Sequence, residues 1–591
     1  MLAVIVNHAA SSLLPGGYQG VDLFFVISGY LITGILLGDL EAGTFSITRF
    51  YERRVRRIIP GLMVVMLLCI PPAILLELPD GLENFGQSLI ATTFFANNIL
   101  LMITSGYFEL EAGFKPLLHT WSLGVEEQYY LVVPLAMWAA WRLGKTRGVA
   151  VAIAAVTVLS LLICLWTLHH AWLFNFFLIT SRAWELGAGA LTMLAEPRLR
   201  ALVSKGAAQL MAAAGLILAV AALPLDLGQN GPSIFTLLPV TGVCLVLAFG
   251  GTTGPAGRLL ALPPLVWVGL VSYSAYLVHQ PIFAFTRIVS LEKPDSGLML
   301  ALIVPILALA WLSWRFVEQP FRDRRRVGTR TLLILCGAAS LVVVGAGVLF
   351  DRTSGFYSNW PELADPGMGY RHRANIAYNL EPERFHGVTL PDSKDRVRVL
   401  VIGNSFGRDF INMGLESGNL DRRALSIEEY GDCRRLPPTA LENARRADFI
   451  VLATQFQVKD VPCIVRRLAN LRRLTSVPVI VIGRKSFGWN NNAVMLLPPS
   501  VRASVHVKPI DEAIAANTAA RQALPAANYV DMLALLGDSQ GRVPVFTPDQ
   551  KFVSQDSRHL TKAGARWLGP ILFRHPALAP LAAAMQAKRA Q

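Results

Sequence analysis

The strongest constraint on this chain is the abrupt end of its long apolar runs at Phe350. Runs of about 18 or more apolar residues can span a bilayer. They fall near 21–38, 57–77, 85–104, 124–143, 148–168, 173–195, 207–223, 233–250, 265–288, 296–315 and 331–350, with a shorter one at 1–14. From Asp351 to Gln591 none recurs, and short apolar stretches alternate with helix-like ones. Only 16% of the residues are charged and 53% are hydrophobic, whereas soluble domains are roughly a quarter charged. An ordinary cytosolic enzyme and a disordered chain are excluded. The expected fold is a polytopic α-helical membrane domain, a further span at 331–350, a linker at 351–395 and a doubly wound α/β domain at 396–591. The first run starts at Met1 without flanking charges and reads as part of a longer span.

Charge sets the expected topology. Lys and Arg number 54 against 40 Asp and Glu, a formal net charge of +14. The basic loops Arg53–Arg57, Arg142–Arg147, Arg198–Lys205 and Arg322–Arg330 satisfy the positive-inside rule if all are cytoplasmic, so the basic excess implies no nucleic-acid partner. Parity then requires one run to enter the membrane without crossing. The run 85–104 is the most polar, with Gln87, Thr92, Thr93, Asn97 and Asn98. This predicts eleven crossings, a cytoplasmic N-terminus and an exported α/β domain. Cys433 and Cys463 are the only cysteines of that domain. An oxidising compartment favours a disulfide between them, with two unpaired thiols as the other reading. No CxxC or His/Cys cluster points to a metal.

In the α/β domain, strands are expected at Val397–Gly403, Ala447–Gln455, Val477–Lys485 and Asn528–Met532. Sites in parallel sheets form beyond the carboxyl ends of strands, where Gly403-Asn404-Ser405 falls. Turn serines are common, but Asp556-Ser557-Arg558-His559 stands near the chain end. A serine nucleophile needs a base, and the imidazole base needs a carboxylate to fix its tautomer. Ser405, His559 and Asp556 can supply all three. In the membrane domain, ionisable residues are costly and are functional candidates: His8, Asp22, Glu126, Glu127, Arg182, Glu185 and His279. So many in one bundle imply a polar cavity, although each alone is as readily a structural residue.

Gly403-Asn404-Ser405 and Asp556-x-x-His559 resemble the SGNH hydrolase/transferase superfamily, with Asn404 in place of its usual Asp. That family's middle blocks, which supply a Gly and an Asn to the oxyanion hole, are not evident; Gln455 lies in roughly the right place, and the Ser405 backbone N–H is the better donor. Gly20-Val21-Asp22-Leu23-Phe24-Phe25-Val26-Ile27-Ser28-Gly29-Tyr30 and His119-Thr120-Trp121-Ser122-Leu123-Gly124-Val125-Glu126-Glu127-Gln128-Tyr129 resemble acyltransferase family 3 membrane proteins over about residues 1–320. So do Phe50–Pro60 and Ser272–Pro281.

The resemblance implies that His8 is the family's essential His, with its upstream Arg lying before Met1. It maps the family's Arg-x-x-Arg onto Arg54 and Arg57, or else onto Arg53 and Arg56, and its Glu onto Glu126. Asp22, Arg182, Glu185 and His279 would support them. It further implies a bacterial inner-membrane O-acyltransferase with no bound cofactor and acetyl-CoA as co-substrate. Its acceptor would be a surface glycan, O-antigen of lipopolysaccharide in particular or else peptidoglycan or an exopolysaccharide. Its surroundings would be membrane lipid. A membrane-anchored esterase and a glycan or acyl transporter are the competing readings.

Overall fold

A computed structural model of the chain describes residues 1–104, 112–225, 231–251, 254–365, 377–393, 395–429 and 436–590. It divides into two compact units. One comprises Met1–Glu77, Gly81–Arg287 and Pro294–Gly355; the other comprises Leu78–Asp80, Ile288–Lys293 and Phe356–Gln591.

The first unit is helical. Five of its segments are long and apolar enough to cross a membrane: Pro15–Glu41, Ile47–Leu76, Thr120–His170, Ser296–Arg322 and Thr329–Arg352. The apolar runs do not each form one helix, which corrects the expectation of one unbroken span per run. The first eight helices are α1 (Leu2–Ala9), α2 (Gly20–Glu41), α3 (Ile47–Leu76), α4 (Pro79–Thr93), α5 (Asn97–Thr104), α6 (Thr120–His170), α7 (Trp172–Phe177) and α8 (Ile179–Leu202). The runs 124–143 and 148–168 are the two arms of α6, which meet at non-helical backbone at Gly144 and Lys145, within the expected basic loop Arg142–Arg147. The run 173–195 is divided between α7 and α8, and the run 265–288 between Pro263–Leu270 and Ser272–Val289.

The polar run 85–104 breaks between α4 and α5, where Phe95 has φ 54°. Broken backbone is tolerated in a bilayer only where its polar groups find protein partners. Here Gln128 Nε2 donates to the Phe95 carbonyl at 2.9 Å, Asn97 to Leu117 at 3.0 Å and Asn98 to Phe177 at 3.1 Å. Asn97 and Asn98, two of the residues that make the run polar, thus help to hold the break.

Helices α2 and α8 cross at glycine. A Cβ on Gly29 would meet the Leu186 carbonyl oxygen at 1.8 Å, and one on Gly189 the Val26 oxygen at 1.9 Å. Small residues are what let membrane helices approach this closely, and this crossing brings Asp22 of α2 to Arg182 of α8.

The second unit is built on a parallel sheet of β1 (Val399–Gly403), β2 (Leu425–Glu429), β3 (Phe449–Ala453), β4 (Val479–Ile482) and β6 (Tyr529–Val530), in the order β2-β1-β3-β4-β6. A small antiparallel pair joins β5 (His506–Val507) and β7 (Val543–Pro544). Strand residues alternate between two apolar clusters, as the period of two requires. Val399 and Val401 pack with Phe410, Leu568 and Leu572; Leu400 and Ile402 pack with Ile464, Leu468 and Leu471. Both faces are covered by helices, so the central strands read as continuous apolar runs.

β2 was absent from the expected strands because its sequence, Leu-Ser-Ile-Glu-Glu, is polar. It lies at the sheet edge, and its buried Ser426 is satisfied by Asn443 Nδ2 at 3.0 Å. The four membrane cysteines Cys69, Cys164, Cys244 and Cys336 are free. Cys463, on the helix Val461–Leu474, is disulfide-bonded; Cys433 lies outside the described residues.

Candidate active sites

The sheet order reverses beside β1, whose neighbours are β2 on one side and β3 on the other. Crossovers leaving in opposite directions open a crevice beyond the carboxyl ends of β1 and β3. Gly403 ends β1 against β3, and a Cβ there would meet the Ala453 carbonyl oxygen at 1.9 Å. The chain then turns at Asn404 into the helix Ser405–Glu416. Asn404 Oδ1 accepts the N–H of Phe406 at 3.1 Å, capping that helix, and the N–H of Gln455 at 3.1 Å. The amide therefore does the ordering expected of the turn. Ser405 is the first helical residue, and its N–H has no intrachain acceptor among the described residues.

Ser405 Oγ lies 2.9 Å from His559 Nε2, and His559 Nδ1 lies 2.5 Å from Asp556 Oδ2. The other Asp556 oxygen accepts the backbone N–H of Arg558 at 2.9 Å and of His559 at 2.7 Å. Ser557, between them, takes φ 66° to close this tight loop. Burial acts to raise the Asp556 carboxyl. The His559 ring and these N–H donors outweigh it and hold the carboxyl down to about 2. A charged Asp556 keeps a proton on His559 Nδ1 and leaves Nε2 as the acceptor facing Ser405, the arrangement that activates a serine nucleophile. With the Ser405 N–H available to a developing oxyanion, the geometry suits acyl transfer through an ester on Ser405.

A buried ion pair, not foreseen from sequence, supports the triad. Lys485 Nζ lies 2.7 Å from Asp409 Oδ2, both side chains nearly inaccessible, and 3.3 Å from the Phe406 ring centroid. Asp409 also accepts the N–H of Leu560, the residue after His559, at 3.3 Å. Burial lowers the Lys485 ammonium, against the pull of Asp409. The pair joins the nucleophile helix to the loop that carries the base. Its signals were faint: Asp409 is one helical turn beyond Ser405, and Lys485 follows an apolar strand.

In the helical unit, His8 and His279 come together, with His8 Nδ1 3.1 Å from His279 Nε2 and stacked rings. His119, inside a quoted motif but not singled out, is the third ring, 5.3 Å from His279 between centroids. Glu126 accepts hydrogen bonds from the Ser28 and Tyr130 hydroxyls. Tyr130 is one turn along α6 from Glu126, a spacing that places them on one face. A cavity of about 40 Å³ is lined by residues that include Met1, Val4, Ser122, Glu126, Tyr273 and Tyr276. Arg182 Nη1 donates to Asp22 at 2.6 Å and to Glu185 at 2.8 Å, wholly buried. Its guanidinium carbon lies 5.2 Å from the Trp121 ring centroid. This cluster ties α2 to α8.

The arginine pairs are distinguished by what they touch. Arg56 is buried and donates to the Phe321 carbonyl at 3.0 Å, the Val327 carbonyl at 2.7 Å and Glu52 at 3.0 Å; Arg53 pairs with Asp39 at 2.9 Å. Arg54 lies against the Tyr130 and Phe50 rings, and its Nε has no hydrogen-bond partner among the described residues. Arg57 is exposed. Arg54 and Arg57 are the pair left available for an anionic ligand. Among the described residues no group of His, Cys, Asp and Glu is arranged to hold a metal ion.

The helical unit thus combines apolar helices long enough to cross a membrane with a buried histidine pair and two arginines, Arg54 and Arg57, on α3. Residues 1–315, more than half of the chain, match the family model described as an acyltransferase domain, and the chain belongs to that family. It is 28% identical over 340 residues to the peptidoglycan O-acetyltransferase OatA of Listeria monocytogenes, covering 54% of this chain and 54% of that protein. It is 26% identical over 338 residues to the O-acetyltransferase OatA of Staphylococcus aureus, covering 55% and 56%. The chain spans about half the length of the curated relatives it matches.

Proposed function

We propose that the chain takes an acetyl group from acetyl-CoA and transfers it to a hydroxyl of a cell-surface glycan. The observation that carries this reading is the Ser405–His559–Asp556 hydrogen-bond chain, held in the same polypeptide as an acyltransferase membrane unit. Peptidoglycan replaces O-antigen as the favoured acceptor, because the Listeria relative is named for peptidoglycan. The donor side uses Arg54 and Arg57 for the CoA phosphates. His8 serves as base or transient acyl acceptor and Glu126 as an orienting group.

The second unit is read as an SGNH-type domain on the outer face of a bacterial inner membrane, reached by eleven crossings with the N-terminus in the cytoplasm. There Ser405 carries the acetyl group as an ester. A sugar hydroxyl attacks the ester carbonyl and gives its proton to His559. The Ser405 ester bond breaks, the sugar ester forms, and the proton returns to Ser405 Oγ. Transfer exceeds hydrolysis where the glycan excludes water from the ester.

The test is acetate released by mild base from purified peptidoglycan and lipopolysaccharide of cells with and without the full chain. Chain-dependent acetate on peptidoglycan is expected. Acetate on lipopolysaccharide alone would return the acceptor to O-antigen, and none on any surface glycan would overturn the function.

A further inference from the structure

The histidine pair in the helical unit has a direction. His279 is fully buried on the helix Ser272–Val289, and its Nδ1 lies 2.6 Å from the carbonyl oxygen of Tyr276. A carbonyl can only accept, so His279 Nδ1 carries a hydrogen. In a neutral imidazole the other nitrogen is then an acceptor. That nitrogen, His279 Nε2, faces His8 Nδ1 at 3.1 Å, so His8 Nδ1 must be the donor. The lone pair of His8 is thereby placed on Nε2. The opposite assignment would set a lone pair of His279 Nδ1 against the Tyr276 oxygen at 2.6 Å.

The backbone is fixed at both ends of this ladder. Arg287 donates to the carbonyl of His8 and, at 3.1 Å, to that of Gly113. The Tyr276 hydroxyl donates to the His119 carbonyl at 2.8 Å. Gln280, the next residue along the helix, donates through Nε2 to the Lys115 carbonyl at 3.0 Å. Met1, at the N-cap of α1, and Val4 on it line the small cavity that Glu126 and Tyr276 also line. His8 is four residues beyond Val4 and seven beyond Met1, on the same helical face.

We infer that His279 is the positioning residue for His8, fixing the tautomer in which His8 Nε2 is the base or acyl-accepting atom. The inference rests on the proposed acyltransferase reading and adds to it a partner and a reacting atom. The logic is that of a serine triad with a backbone carbonyl in the orienter's place: a base is effective only when its other nitrogen is held in the right protonation state. In a proton-transfer step, His8 Nε2 takes the proton and the Nδ1–H bond to His279 remains. In an acyl-transfer step, the His8 Nε2 lone pair bonds to the carbonyl carbon, the thioester C–S bond breaks, and CoA leaves as its thiolate, with the positive charge of the acylated ring shared by the Nδ1–H that donates to His279.

Two measurements on the full chain in membrane vesicles test this. The first is nitrogen-15 NMR of histidine-labelled protein, with the His8 signals identified by their loss in His8→Ala. A protonated Nδ1 and an unprotonated Nε2 on His8 are expected, and a mixture of tautomers in His279→Ala. A protonated Nε2 on His8 in the unaltered chain would overturn the inference, whether or not the protein transfers acetyl groups.

The second is acetyl-CoA-dependent transfer. His279→Ala should lower kcat by about 10²-fold or more, leave the KM for acetyl-CoA within about twofold, and shift the pH profile of kcat. His279→Gln, which can still accept from His8 Nδ1, should recover part of the loss. Unaltered kcat in His279→Ala beside an inactive His8→Ala would refute the positioning role while sparing the acyltransferase reading. No transfer by the unaltered chain would refute that reading, and the tautomer measurement would still decide the inference.

Discussion

The Asn404 side-chain oxygen accepts the backbone N–H of Gln455 at 3.1 Å, tying the turn after β1 to the end of β3. The same oxygen caps the nucleophile helix through the N–H of Phe406. An aspartate offers the same acceptor, so the asparagine preserves the turn. Replacing Asn404 by Ala should remove the cap, at about 1 kcal/mol, and loosen the approach of Ser405 to His559. Asn404→Asp should retain near-normal glycan acetylation, and Asn404→Ala should reduce it at least tenfold. Acetate release from the glycan and thermal unfolding of the detergent-solubilised chain check both. Equal loss in the two variants would mean that the amide's own N–H₂ matters.

The arginines of α3 should separate by phenotype. Arg54→Ala and Arg57→Ala should raise the KM for acetyl-CoA, by tenfold or more together, with normal protein yield. Arg56→Ala should instead lower yield and thermal stability. It removes the donor from the part-buried Phe321 and Val327 carbonyls, at about 0.5–1.5 kcal/mol each. Arg53→Ala should be nearly neutral, because its pair with Asp39 is solvent-accessible. A raised KM in Arg56→Ala with normal yield would favour the other arginine register.

The depressed Asp556 carboxyl sets a pH window. Its folded value of about 2 lies below the roughly 3.9 of an unfolded chain. The linkage is therefore stabilising above pH of about 4 and is lost as pH falls towards 2. Thermal unfolding should show the unaltered chain more stable than Asp556→Asn at neutral pH, with the gap closing between about pH 4 and 2. A gap that widens on acidification would reverse the assigned sign.

Cys463 should resist alkylation in the native chain until reductant is added. A bond closing the 30-residue interval to Cys433 would stabilise the second unit by about 3–4 kcal/mol on the chain-entropy model. Mass spectrometry of peptides with and without reductant checks the pairing. Free thiols at both positions would refute it.

What the sequence revealed follows the range of the interactions. The triad was legible because its parts are local: a Gly-x-Ser at a strand end, and an Asp three residues before a His. The stacking of His8 on His279 was not, because 271 residues separate them and only the folded bundle joins them. Asp409 with Lys485 was hidden for the same reason. β2 was missed because an edge strand can carry Ser426 and Glu429, which no apolar pattern finds. The break at Phe95 was foreshadowed by Asn97 and Asn98, whose polarity marked the run as unlike a simple span. The break at Gly144 falls in the basic loop Arg142–Arg147 that separates two runs, whereas the break after Phe177 carried no comparable warning.

The central claim is that Ser405 carries the acyl group to the glycan. The most direct measurement is mass spectrometry of glycan acetylation in cells expressing Ser405→Ala beside the unaltered chain at equal membrane abundance. Losing the nucleophile of a triad costs orders of magnitude in rate. Chain-dependent glycan acetate should be lost, although Arg54, Arg57 and His8 remain in place. Full acetylation by Ser405→Ala would contradict it and assign the transfer to the helical unit alone.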